Sequence, residues 1–183
     1  MPVADEQLML DYAAGDAAAF EALYARHKGP LYRFVRRSVK DAAHADELFQ
    51  DIWMRIVEAR VRYSPQARFT TWMYTIAHNR LVDHWRAKGL SLVSLDEDAE
   101  APLEIDAGPA SDPRRIAEGR EALARFAGAL AALPLAQREA FLLHEEAGMT
   151  AAQIAEATGT NTDAAKSRLR YAMDKLREAM GDD

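Results

Sequence analysis

Residues 149–180 read MTAAQIAEATGTNTDAAKSRLRYAMDKLREAM, the pattern of two helices joined by a tight turn. Thr150 is placed to cap the first helix, with Gln153 three residues on to close a capping box. Ile154 and Ala155 face inward, and the small Ala155 lets a second helix cross closely. Gly159 stands where the turn needs a positive φ or a close backbone approach. Thr160-Asn161-Thr162-Asp163 then supplies polar caps and an acid for a second start. Ala165, Leu169, Ala172, Met173 and Leu176 recur three and four apart on one face, with Lys166, Ser167, Arg170, Lys175 and Arg177 opposite. This is the layout of a helix-turn-helix whose second helix enters the major groove. Two short amphipathic helices around a glycine also occur in all-α cores that bind nothing, so the rest of the chain must decide.

The whole chain has 183 residues, 49% of them hydrophobic, and few β-branched runs, which predicts an all-α protein. There is no Cys, hence no disulfide framework and no thiolate metal site. The acidic N-terminal segment lacks a signal-peptide plan, and no apolar run approaches the roughly 20 residues that span a bilayer. A cytoplasmic protein without membrane insertion is expected.

A net charge of −6 is unexpected for a DNA binder until it is mapped along the chain. Residues 60–88 carry Arg60, Arg62, Arg68, Arg80, Arg86 and Lys88 against Asp83 alone. Residues 158–177 carry five bases against Asp163 and Asp174. Two basic patches thus sit in an acidic whole. Because phosphate contacts dominate non-specific affinity, such a chain should bind free DNA weakly and need a partner to bring it there.

Helical patterning runs from Asp5 to Lys40, with a break at Gly15-Asp16 and a new turn starting at Gly29-Pro30. Residues 41–60 form the best-defined helix of this half: Leu48, Phe49, Ile52 and Ile56 make its buried stripe. Trp53 falls off that stripe, as a packed rim residue or an interface anchor. After a loop broken by Ser64-Pro65, Thr70 or Thr71 caps a helix that mixes Trp72, Tyr74 and Trp85 with His78, Asn79, Arg80, Asp83, His84 and Arg86. Aromatic faces suit unstacked bases, and bases hold the backbone; a core helix with a solvated basic side gives the same composition. Residues 89–115 hold seven acids, three prolines and no helical period, which marks an acidic flexible linker between two small helical domains. Helical patterning resumes from Arg120 to Leu133, and 137–147 lead into the opening motif, making the second domain a four-helix unit.

No catalytic residue, cofactor or metal set is found. There is no Gly-rich phosphate loop, and His144-Glu145-Glu146-Ala147-Gly148 lacks the second histidine of a zinc-protease motif.

Three motifs, in order, carry a resemblance over nearly the whole length: DELFQDIWMRIVEA at 46–59, RFTTWMYTIAHNRLVDHWR at 68–86, and 133–178 with the helix-turn-helix. Together they resemble the extracytoplasmic-function (ECF) group of bacterial sigma-70 family factors. The resemblance implies a non-enzymatic factor that binds RNA polymerase core, at its large-subunit clamp helices and flap, and directs it to promoter DNA. It implies a region 2 domain at 1–88, the acidic linker at 89–115, and a region 4 domain at 116–183. Asp46, Glu47, Gln50, Asp51 and Trp53 would dock on the clamp. Arg68, Trp72, Asn79, Arg80, Asp83, His84 and Arg86 would meet the −10 element and its melted strand. Thr162, Lys166, Ser167, Arg168, Arg170 and Tyr171 would meet the −35 element. Members are commonly held inactive by an anti-sigma factor, so such a partner is expected too. Asp163-Ala164-Ala165 departs from the family's usual Gly-Thr-Val, and Tyr171-Ala172-Met173 from Arg-Ala-Arg, which leaves the target sequence open. Two other functions fit parts of the pattern: a stand-alone helix-turn-helix regulator, and a sigma mimic that sequesters a regulator.

Overall fold

A computed structural model describes residues 2–90, 92 and 113–181. Among them, eight α-helices and one 3-10 turn account for the regular structure, without strands. The helices are α1 (Asp5–Ala13), α2 (Ala17–Ser38), α3 (Ala42–Ala59), α4 (Phe69–Ala87), α5 (Pro113–Ala132), α6 (Leu135–Ala147), α7 (Ala151–Thr158) and α8 (Thr162–Met180). The 3-10 turn, Arg60–Arg62, leads out of α3 towards α4. Of the acidic linker expected at 89–115, residues 91 and 93–112 lie outside the described residues.

Helix starts follow local chemistry. Asp16 and Asp41 cap α2 and α3 by accepting from Ala18 N–H and Ala43 N–H, at 2.9 and 2.8 Å. Thr150 and Gln153 close the expected capping box on α7. Gly159, at φ +65°, ends α7 in the left-handed region and lets the chain turn into α8, whose cap is Asn161.

Three local expectations are corrected. The new start read at Gly29-Pro30 is no helix boundary: α2 runs through Pro30. Proline there removes the hydrogen bond to the Arg26 carbonyl, and the buried stripe Leu23, Leu31, Phe34 and Val35 offsets the loss. α5 starts at Pro113 rather than Arg120, since proline at the first helical position gives up an N–H that is unpaired anyway. Neither Thr70 nor Thr71 caps α4: the helix starts at Phe69, and Thr71 is buried.

α1–α4 and α5–α8 each form a helical group, and the two groups pack on each other, α6 against α2 and α7 against α4. The contact between them is not purely apolar. Glu139 and Glu146, two turns apart on α6, face the N-terminal helices. Glu139 is 3% exposed and lies 2.7 Å from His78 Nδ1 on α4. Glu146 is 6% exposed and accepts from Arg33 Nε at 2.7 Å and from Arg37 Nη1, both on α2.

Candidate nucleic-acid interface

The exposed side of α3 is a mixed acidic and apolar strip. Asp46, Glu47 and Gln50 are exposed, Asp51 is half-buried, and Met54 is 56% exposed among them. Asp46 accepts from the Tyr32 hydroxyl at 2.9 Å, and that bond raises the Tyr32 pKa. Trp53 lies elsewhere. It is 6% exposed, packed edge-on against Phe20, Tyr24 and Phe49. The sequence reading put it off the buried stripe; the rings from α2 widen that stripe to include it.

On α4, Trp72, Ile76, Asn79, Asp83 and Arg86 follow one another at alternating steps of four and three, so they share one face. Asn79, Asp83 and Arg86 are exposed, as is Arg68 just before the helix. Arg80 is half-buried and bound by Nε to Asp51 of α3. Arg55 lies 3.7 Å from Asp51 and 4.0 Å from Asp83. The docking candidates on α3 and the −10 candidates on α4 therefore share one ion-pair network. His84 sits where α4 meets α3, its ring 5.5 Å from His44. Burial, then the nearby His44, Lys88 and Arg80, lowers its pKa, with Glu47 opposing.

The aromatic content of α4 is mostly structural. Tyr74 and Trp85 are buried; Trp85 donates to the Ser38 carbonyl at 3.4 Å, and Tyr74 meets Phe34 edge-on. Only Trp72 of the α4 tryptophans and tyrosine keeps partial exposure, packed on Tyr63 and Phe69. Tyr63 is itself buried, and burial, with Glu6 and Asp5 nearby, pushes its pKa up to about 12.

α8 divides electrostatically. In its first half Lys166 and Arg170 are exposed and Ser167 and Arg168 half-buried. Among the described residues, no carboxylate pairs with Lys166, Arg168 or Arg170. In its second half Lys175 is paired with Glu178 at 3.2 Å and Arg177 with Asp174 at 3.5 Å. The Arg170 guanidinium lies over the ring of Tyr171, 5.1 Å from its centroid, and Tyr171 is 52% exposed. Thr162 opens the helix, half-buried. Arg138 steadies the corner beneath, donating to the Ala131 and Leu133 carbonyls at the end of α5. Its burial pushes its pKa down to about 10.

Two family descriptions match the chain: Sigma-70 region 2 over residues 23–90, and Sigma-70 region 4 over residues 123–176. The RNA polymerase sigma factor CarQ of Myxococcus xanthus is 32% identical over 171 residues, 92% of each chain. The ECF RNA polymerase sigma factor RpoE of Cereibacter sphaeroides is 32% identical, over 90% of this chain and 88% of that protein. The chain belongs to the ECF group of sigma-70 family RNA polymerase sigma factors. This sigma factor is a non-enzymatic protein of promoter-specific transcription initiation by RNA polymerase, and the region 2 match removes the stand-alone regulator reading. Its fold is shared by CnrH in complex with the cytosolic domain of CnrY, with TM-score 0.71 and 24% identity over 99% of both chains. RpoE in complex with the anti-sigma factor NepR from Bartonella quintana gives 0.72 and 23%, over 90% of this chain and 98% of that one.

The sequence reading missed the contact between the helical groups. Its signal was present: Glu139 lies three and four residues before Leu142 and Leu143, on the same buried face of α6, and an acid on a buried face needs a partner. Met54 is the other feature the sequence reading passed over: it is 56% exposed among the polar residues of α3.

Proposed function

We propose that the sigma factor divides its work between a region 2 domain at 1–88 and a region 4 domain that begins with α5 at 113, the expected boundary at 116 falling inside that helix. The α3 strip of Asp46, Glu47, Gln50 and Met54 docks on the polymerase clamp helices, and Asp51 ties it to α4. The α4 face of Asn79, Asp83 and Arg86, with Arg68, Trp72, Arg80 and His84 at its edges, meets the −10 element and the melted strand. The first half of α8 meets the −35 element through Lys166, Ser167, Arg168, Arg170 and Tyr171.

One observation carries this reading. Among the described residues, the bases in the first half of α8 have no carboxylate partner, whereas those in its second half do. Unneutralised bases at the start of a recognition helix are what phosphates and base edges meet.

The packed arrangement is a closed state that precedes promoter binding. The two elements lie about 25 base pairs apart, about 85 Å of duplex. A compact chain of 183 residues has a radius of gyration of roughly 16 Å and a diameter of about 40 Å. With α7 against α4, both elements cannot be read at once, so the groups separate on polymerase. An anti-sigma factor, the kind of partner that the solved RpoE from Bartonella quintana is bound to, would hold this chain closed in the cytoplasm.

Site-specific photocrosslinking tests the assignment. A crosslinker at position 79 should label the −10 strand of an open complex, and one at position 170 the −35 duplex. Labelling of the reverse elements, or of none, would refute it.

A further inference from the structure

α4 begins without a cap of its own: Arg68 stands at the N-cap position and its side chain makes no capping bond. The first helical amide, Phe69 N–H, donates instead to Glu6 Oε1 at 2.7 Å, across 63 residues of sequence. A carboxylate there also suits the positive end of the helix. Glu6 is held in turn. Asp5 beside it accepts from Arg26 Nη1 and pairs with His27 Nε2, each at 2.7 Å, and Leu8 and Met9 are buried in the core. At the far end of α1, the Arg60 guanidinium lies over the Tyr12 ring, 5.6 Å from its centroid.

α1 therefore grips the segment between α3 and α4 at both ends, through Tyr12 at the 3-10 turn and Glu6 at the start of α4. Between these ties Val61, Arg62 and Arg68 are exposed, and Tyr63 anchors the middle. An open depression of about 530 Å³ lies at the second tie, lined by Asp5, Glu6, Ala67, Arg68 and Thr70. α1 lies outside the residues matched by the region 2 description.

We propose that Glu6 is a positioning residue for promoter recognition: by capping α4 from α1 it fixes Arg68 and the first turn of α4 for the −10 element. This rests on the assignment of α4 to that element.

The test uses the full chain with Glu6→Ala, Glu6→Gln and, as a control for the assignment, Asn79→Ala. Hydrogen exchange at residues 69–72 reads the cap itself. With polymerase core present, binding of a fluorescent single strand carrying the −10 sequence and of a −35 duplex reads the role. Glu6→Ala should speed exchange at 69–72 and weaken −10 strand binding about five-fold, the scale of a lost cap. Glu6→Gln, which keeps an acceptor oxygen, should recover most of that, and −35 and core binding should hold within about two-fold. Unchanged exchange in Glu6→Ala overturns the cap. Normal −10 binding by Glu6→Ala where Asn79→Ala loses it overturns the positioning role, as does an equal loss at both elements. If neither Glu6→Ala nor Asn79→Ala changes −10 binding, the assignment of α4 fails and the proposal with it.

Discussion

Glu146→Ala is expected to shift the sigma factor from closed to open. Glu146 is 6% exposed, while its partners Arg33 and Arg37 are 51% and 30% exposed. Removing one member of a fully buried pair costs about 3–5 kcal/mol, because a charge is stranded. Here both guanidinium groups can regain water, so the loss is smaller, about 2 kcal/mol, and the open-to-closed ratio should rise roughly 30-fold. His78–Glu139 remains and limits the effect, since Glu139 is the more deeply buried carboxylate. The chain has no cysteine, so Glu21→Cys and Ala179→Cys give a labelled pair, one dye on α2 and one on α8. Single-molecule transfer between the dyes should lose its high-efficiency population in Glu146→Ala and lose it further with Glu139→Ala. Core polymerase should then bind faster, because the opening step is already made. A transfer distribution unchanged by both substitutions would refute the closed-state argument. So would a drop in melting temperature without any opening, which would make the contact a part of the fold.

Lys166→Ala and Arg170→Ala should each cost about 1–3 kcal/mol of −35 duplex binding, whereas Lys175→Ala, whose charge is already paired, should cost little; titration of a labelled duplex in the presence of core measures both. Met54→Ala should weaken core binding by about 1–2 kcal/mol with the melting temperature unchanged. Trp53→Ala should instead destabilise the fold by about 3–5 kcal/mol, as a buried aromatic truncation does, and denaturant titration separates the two. His84, whose pKa is lowered by burial and then by His44, Lys88 and Arg80, binds fewer protons folded than unfolded. Its contribution to stability should be complete above about pH 6.5 and lost as pH falls through the folded value. His84→Gln should flatten that part of a stability–pH curve.

The helix-turn-helix was legible because its signals are local: the Thr150–Gln153 box, Gly159 and the Asn161 cap act within a few residues of themselves. The stripes of α3 and α8 were legible for the same reason, since period alone sets their inward faces. What escaped depends on contacts distant in sequence. Trp53 is buried because Phe20 and Tyr24 come from α2 to cover it. The cap of α4 comes from Glu6, so neither threonine at its start was needed. Pro30 stays helical because tertiary burial outweighs one missing hydrogen bond. The candidate bases on α4 looked uniform in sequence, yet Arg80 is tied to Asp51 while Arg86 is exposed. Only the packing of α3 against α4 separates them.

The most direct test of the account is run-off transcription from a promoter library, with RNA polymerase core, with and without the protein. The account predicts discrete new starts that share an upstream and a downstream element. Arg170→Ala should relax specificity only at the upstream element, and Asn79→Ala only at the downstream one. Tight binding to core without any new start would contradict it, and would leave the chain a sigma mimic.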